Sequence, residues 1–436
     1  MKIDRIKINN FRGFGEELDL TLDSSLNLFI GDNGSGKTAI LEALTVAIGS
    51  FFLGINGQDS RGISKKDIHI ASHEHSEEYI FPVTVHAEGT IFGTKVEPWT
   101  RSRAGIDNNT TRKEASSIMK IAQDIDSRVR KGESVDLPLL IYYATGRLFD
   151  VASEPEENAK EIAERPISSR FRAYKRCLEA KSTFKAFEKW FKGKELAGSR
   201  KNGSDLNLNI VKKAVVGGLP DCTDIYYEFD PDKPQGIKIV LEDGRTLPFN
   251  LLSDGTRNFF AIIADMAYKC ITLNPHFGEN ALAETAGVVL IDELDLHLHP
   301  AWQRLIIKVL RTTFPNIQFF VTTHSPFVIQ EIAQGKVVIL KGNKLHKIVE
   351  GVNLSIEDIA EGLQDVVNPQ WSIPRQEMFE IAGQYYKAVK EGKATPAMKT
   401  ELDKAMKPFA NDTAFYAIME QERIIRENKQ TNNEAS

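Results

Sequence analysis

The chain reads as an α/β protein: a mixed β-sheet built around a glycine-rich loop, an antiparallel β subdomain, a helical insertion and a helical C-terminal region. Three observations lead there. The stretch "NLFIGDNGSGKTAILEAL" passes from an apolar run through a glycine-rich turn into a helical pattern. Two later apolar runs, "VVLIDE" and "FFVTTHS", read as buried strands that end in polar, chemistry-bearing residues. Other alternating segments lie before and between these runs, and helical periodicity takes over from about residue 355.

In chain order, residues 2 to 30 read as two or three short strands that stop at the glycine-rich loop. The helix after it carries Ile40, Leu41, Leu44 and Ile48 on one face. "EYIFPVTVHAEGTIFGTKVEPWT" reads as a β meander with tight connections at "EGT" and "FGT". Residues 105–135 are polar and helical in part, and "LPLLIYYATGR" is a buried strand ending in a glycine turn. Residues 151–165 read as an acidic loop and "KNGSDLNLN" as a surface loop. Strands return at "TDIYYEFD", "GIKIVLEDG" and "RTLPFN", and a helix follows "LLSDGTRN". "GVVLIDE" and "IQFFVTTHS" are buried strands around a helix that starts near Pro300, and "KVVILKGNKLHKIVE" is a hairpin. The polar end, "ENKQTNNEAS", is expected to be disordered. The expected divisions are 1–150 (first lobe, with the loop and the meander), 151–215 (helical basic insertion), 216–350 (second lobe) and 351–436 (helical C-terminal region).

The 436 residues, 42% hydrophobic and 26% charged, suit one large domain or two smaller ones. A net charge of −5 supplies no global field for nucleic acid, so any such site is a local patch. Cys177, Cys222 and Cys270 lie far apart, in no metal-like spacing, which points to a reducing compartment. The N-terminus has no signal-peptide pattern and no run of about 18 apolar residues stands out, so a cytoplasmic protein without a membrane span is expected.

Four motifs carry chemistry. Gly31-Asp32-Asn33-Gly34-Ser35-Gly36-Lys37-Thr38 fits G-x-x-x-x-G-K-[ST] between a strand and a helix. Its backbone N–H groups turn inward around phosphates at the positive end of the helix, Lys37 reaches the β/γ-phosphates and Thr38 ligates Mg²⁺. Asp292 and Glu293 end the second apolar strand: Asp292 suits the metal and Glu293 a general base for the attacking water. Ser253 and Gly255 sit at the mouth of another helix, a second anion-binding end. One chain does not easily bring two helix N-termini to one triphosphate, whereas two chains placed head to tail do. His324 ends the third strand, where a histidine can touch a γ-phosphate. His297 and His299 of "HLHP" lack the further Cys or carboxylate ligands of a zinc site.

This order of motifs resembles the head of an ABC-type ATPase. "INNFRGF" and "GDNGSGKTAILEAL" are similar to the RecF, SMC and OLD-type branch, not to transporter cassettes. "IDELDLHLHPAWQR", "TTHSPFVIQEI" and "IYYATGRLF" followed by "SRFRAYKRCLEAKSTFKAFEKWFK" resemble the Septu PtuA-like anti-phage defence ATPases, over most of residues 1 to 340. The resemblance implies ATP and Mg²⁺ as ligands, Asn33 approaching the phosphates with Gly34, Ser35 and Gly36, and Arg12 near the nucleotide. It also implies Ser253 and Gly255 acting on the γ-phosphate held by a partner copy, Asp295 as the D-loop residue and His324 as the switch histidine. No glutamine matches the Q-loop position. The expected assembly is a homodimer or larger homo-oligomer sandwiching ATP. With no TOPRIM-like nuclease pattern after His324, cutting would fall to a separate HNH nuclease subunit. A RecF-like DNA-repair ATPase is the alternative. Its nucleic-acid site would be residues 170–201, where Arg170, Arg172, Lys175, Arg176, Lys181, Lys185, Lys189, Lys192, Lys194, Arg200 and Lys201 interleave with aromatics. Helical spacing favours a core role for Phe184, Phe187 and Phe191.

Overall fold

The computed structural model describes residues 1–146, 169–179, 184–201 and 205–434; the expected acidic loop and Lys181 lie outside these. The chain divides into two compact units, Met1–Ile356 and Glu357–Ser436.

The first unit opens with β1 (Lys2–Asn9), β2 (Leu18–Thr21) and β3 (Leu26–Gly31), then α1 (Lys37–Gly49). Next come β4 (Ile70–Ser72), β5 (Glu77–Tyr79), β6 (Val83–Ile91), β7 (Thr94–Arg103), α2 (Ser116–Arg130) and β8 (Leu139–Tyr143). After a short 3₁₀ turn at Arg170–Tyr174 follow α3 (Phe184–Lys201), α4 (Leu206–Gly218), β9 (Cys222–Glu228), β10 (Gly236–Leu241) and β11 (Thr246–Pro248). The unit ends with α5 (Asp254–Leu273), α6 (Ala281–Glu284), β12 (Gly287–Ile291), α7 (Pro300–Thr313), β13 (Ile317–Thr322), α8 (Pro326–Gln330), β14 (Lys336–Lys341) and β15 (Lys344–Glu350).

The central sheet has the order β15-β14-β3-β13-β12-β8, with all but edge strand β15 parallel. Its parallel strands are continuous apolar runs because both faces are covered, and β8, β12 and β13 are buried throughout. The C-terminal ends of β3, β12, β13 and β14 therefore share one edge, where α/β sheets bind ligands. A second, antiparallel sheet, β2-β1-β6-β7, is tied to the first by Gln318 of β13, whose side chain donates to the carbonyls of Ile3 (2.8 Å) and Asp23 (2.7 Å) and accepts from the Ile3 N–H (2.8 Å). Helix α1 packs against strands of both sheets, and the Trp99 indole of β7 donates to the Ala47 carbonyl at 3.0 Å. Ile40, Leu41, Leu44 and Ile48 are buried, and so is nearly every other residue of α1. Lys37–Gly54 is long and apolar enough to cross a membrane by composition, a run missed in the sequence, but 89% of it is buried inside the protein, as in a core helix.

Three local expectations are corrected. "EGT" is not a turn; it lies inside β6, where the register with β1 and β7 shifts, and the turn falls at Phe92-Gly93. Part of "KNGSDLNLN" is helix α4, capped by the Asp205 carboxylate accepting from Leu208 N–H at 3.2 Å. The polar end is helical as far as Glu434.

The second unit consists of most of α9 (Ile356–Gly362), then α10 (Ile373–Lys390), α11 (Pro396–Met406) and α12 (Thr413–Glu434). Its small core gathers Met378, Ala382, Tyr385, Tyr386, Val389, Leu402, Met406 and Met419. In the first unit, Phe187 and Phe191 of α3 are fully buried, and Phe187 meets Phe260 and Tyr268 of α5 edge-on. They are core residues, so base stacking in this segment cannot use them.

Candidate active site

The loop after β3 turns on glycines because other residues would collide. Gly36 has φ 99°, and a Cβ there would lie 2.5 Å from the Phe14 ring and 3.0 Å from Asn343 Oδ1. It is the N-cap of α1, which has no side-chain cap and no acid in its first turn, so the first N–H groups of the helix remain available to an anion. A cleft of about 300 Å³ opens at this mouth, lined by Gly13, Asn33, Gly34, Ser35, Gly36, Lys37, Thr38, Ala39, Asp292, Glu293, His324 and Asn343. Three separate strand ends thus converge on the P-loop, as the strand order requires.

The polar cluster at the cleft is closely wired. Thr38 Oγ1 donates to Asp292 Oδ2 at 2.9 Å, and Thr322 Oγ1 donates to Asp292 Oδ1 at 2.6 Å. The Glu293 N–H donates to Thr322 Oγ1 at 2.7 Å, which holds Glu293 in a left-handed conformation (φ 48°) that a non-glycine residue rarely adopts. Lys37 Nζ donates to the carbonyls of Gly31 (2.7 Å) and Asp32 (2.9 Å). Burial pushes its ammonium below the ordinary lysine range, while Asp292, Glu293, Asp32 and Asp295 oppose that shift. Ser35 is buried, and its Oγ has no hydrogen-bond partner among the described residues. This orphaned donor, the uncapped helix mouth and Lys37 together fit a polyphosphate. Thr38 Oγ1 and Asp292 are hard oxygen donors of the kind that would suit Mg²⁺.

The other sequence-predicted residues fall elsewhere. Asp295 accepts from Thr323 Oγ1 at 2.5 Å, beside the cleft rather than on its wall. Ser253 caps α5, its Oγ accepting from Thr256 N–H at 3.2 Å; neither it nor Gly255 lines the cleft of its own chain. Gly255 is needed for packing, since a Cβ there would lie 2.1 Å from the His297 carbonyl oxygen. His299 caps α7 through Nδ1, accepting from Ala301 N–H at 3.3 Å. A further link joins α5 to the Asp292 strand: Tyr143 Oη donates to Asp265 Oδ2 at 2.8 Å, and the Tyr143 carbonyl accepts from Asp292 N–H at 2.8 Å.

Arg12 does not line the cleft. Its guanidinium contacts Asp67 at 3.0 Å and Glu42 at 3.2 Å, and Arg61 contacts the same two acids. Asp67 is fully buried; although burial alone would raise its carboxyl, Arg61, the Ser64 hydroxyl and Arg12 hold it below the usual range. The "FR" arginine thus fastens the β1 turn to the protein, while its neighbour Gly13 reaches the cleft. Sequence reasoning missed Gly13 and Asn343. The only available signal was the Gly-Asn pair of the β14–β15 hairpin, and nothing in the sequence says that this turn meets the P-loop.

The chain is 29% identical to the "Retron Ec83 probable ATPase" of Escherichia coli over 432 residues, covering 84% of this chain and 76% of that protein. It is 26% identical to the "Septu protein PtuA" of Bacillus thuringiensis over 347 residues, covering 78% and 75%. Among solved structures, an SMC head bound to the C-terminal winged-helix domain of ScpA matches 80% of this chain and 98% of that chain at 16% identity, with a TM-score of 0.48. Residues 26–330 match AAA_21, an AAA domain whose description points to the AbiEii toxin and a type IV TA system. On that match the chain belongs to the AAA_21 family of ATPases.

Proposed function

We propose that this chain is an ABC-type ATP hydrolase that works as a homodimer, or a larger homo-oligomer, in cytoplasmic anti-phage defence. The observation that carries the reading is the hydrogen-bonded series Thr38–Asp292–Thr322–Glu293 at the mouth of the P-loop. A metal-ligand pair and a neighbouring carboxylate are what phosphoryl transfer to water requires.

In this reading the α1 mouth and Lys37 bind the β/γ-phosphates, with Asn33, Gly34, Ser35 and Gly36 wrapping around them. Thr38 and Asp292 hold Mg²⁺, which when bound neutralises charge on the phosphate oxygens. Glu293 takes a proton from the attacking water, and His324 contacts the γ-phosphate. Ser253, Gly255 and Asp295 act on the nucleotide of a second copy. The resemblance to the Septu and retron ATPases supports a defence role, in which nucleotide state holds or releases a separate nuclease of the HNH type. The RecF-like alternative draws on weaker support, since one such relative is 35% identical over only 22% of this chain.

The test is ATP hydrolysis by the wild type, Lys37→Ala and Glu293→Gln, together with recovery of proteins bound to Glu293→Gln. Hydrolysis lost in both variants, with a small nuclease co-purifying, supports the reading. Wild-type hydrolysis by Glu293→Gln removes the base assignment, and recovery of DNA-repair factors alone favours the alternative.

A further inference from the structure

The geometry points to Asn343 as a residue that binds the nucleoside end of the nucleotide, an assignment that rests on the ATPase reading above. Strand order supplies the direction. The P-loop leaves β3, with β13 and β12 on one side and β14 on the other. The residues suited to the γ-phosphate end, Asp292, Glu293 and His324, follow β12 and β13. Asn343 follows β14, so it flanks the P-loop on the opposite side yet lines the same cleft. A nucleotide with its terminal phosphate toward Glu293 carries its sugar and base toward the other end.

The side chain is placed for contact. A Cβ on Gly13 would lie 2.5 Å from Asn343 Oδ1 and 2.9 Å from Nδ2, so the carboxamide rests on the bare backbone of the β1 turn. It also approaches the Gly36 position. The carboxamide has no hydrogen-bond partner among the described residues. It therefore offers two donors and an acceptor at the cleft wall, the groups that bind a ribose hydroxyl or a base edge. The turn that holds it is a two-residue hairpin loop with positive φ at both Gly342 (54°) and Asn343 (60°). Asparagine and glycine both tolerate that conformation, so Asn343→Gly removes the carboxamide while keeping the turn.

The experiment measures equilibrium binding of ATP and of inorganic tripolyphosphate, each with Mg²⁺, to the full chain, Asn343→Gly and Lys37→Ala. Thermal melts check that the variants are folded. The expected result is a three- to about tenfold loss of ATP affinity in Asn343→Gly with tripolyphosphate unchanged, the scale of one or two ligand hydrogen bonds. Lys37→Ala loses both ligands. Unchanged ATP affinity in folded Asn343→Gly overturns the inference and leaves the ATPase reading standing. An equal loss of both ligands also overturns it, by assigning Asn343 to the phosphates. If the wild type binds neither ligand, the ATPase reading fails and the inference falls with it.

Discussion

Two helix mouths in this protein look alike in sequence and differ in how they are finished. The mouth of α1 is made of glycine, has no side-chain cap and no acidic residue in its first turn, and opens into a cleft. The mouth of α5 is capped by Ser253, with Asp254 in the first turn paired to Arg257. A helix N-terminus leaves about four N–H groups without intrahelical partners. At α1 those donors are left for a ligand, whereas at α5 the chain satisfies part of the demand itself. The difference shows which mouth leaves its donors open to an anion. In the proposed assembly, the Ser253 cap would keep α5 stable as an exposed end until a second copy presented a nucleotide to it.

Breaking the α1 side gives the largest effects. Lys37→Ala lowers ATP affinity by about 10²-fold, the scale of a lost charge-assisted hydrogen bond or two, as read in a binding isotherm. Glu293→Gln keeps ATP binding and slows phosphate release by about 10²- to 10⁴-fold, the usual contribution of a general base. On the α5 side, Ser253→Ala removes only the cap. It costs the isolated chain about 1 kcal/mol in denaturant unfolding, and it leaves the affinity of a single chain for ATP unchanged. A large loss of ATP affinity in Ser253→Ala would erase the contrast between the two mouths.

The smallest effect is a pH dependence at Lys37. Burial lowers its folded-state pKa below the unfolded value. Between the two values the unfolded chain binds more protons, so this group adds stability as pH rises through that window. ATP affinity moves the other way, since the neutral amine no longer attracts phosphate. The two trends, read from melts and isotherms on the alkaline side, have opposite signs in wild type, and both shrink in Lys37→Ala.

The same contrast shows what was legible in the sequence. The P-loop and the Asp292 and His324 strands were readable because local spacing specifies them: an apolar run, a turn, a reactive residue. Ser253 was readable as a cap for the same reason. Asn343 was not, because its place depends on β14 pairing with β3, a contact set by the whole sheet. The partners of Arg12 were not legible because the sequence shows the arginine and not Glu42, Asp67 and Arg61 gathered around it. The first residues of helix α4 were read as loop because they follow the turn residues of "KNGSD", and the Asp205 cap decides the matter. The all-round burial of α1 follows from a second sheet lying over it, which helical periodicity alone does not reveal.

The most direct test of the account is the mass of Glu293→Gln in solution with Mg²⁺ and either ATP or ADP, measured beside the double variant Glu293→Gln/Ser253→Arg. The account predicts that ATP, and not ADP, doubles or further multiplies the mass of the single variant. The double variant should bind ATP and stay at the mass of one chain. A Glu293→Gln chain that binds ATP and remains monomeric, or assembles equally well with Ser253→Arg, would contradict the claim that the α5 mouth completes a site on a second copy.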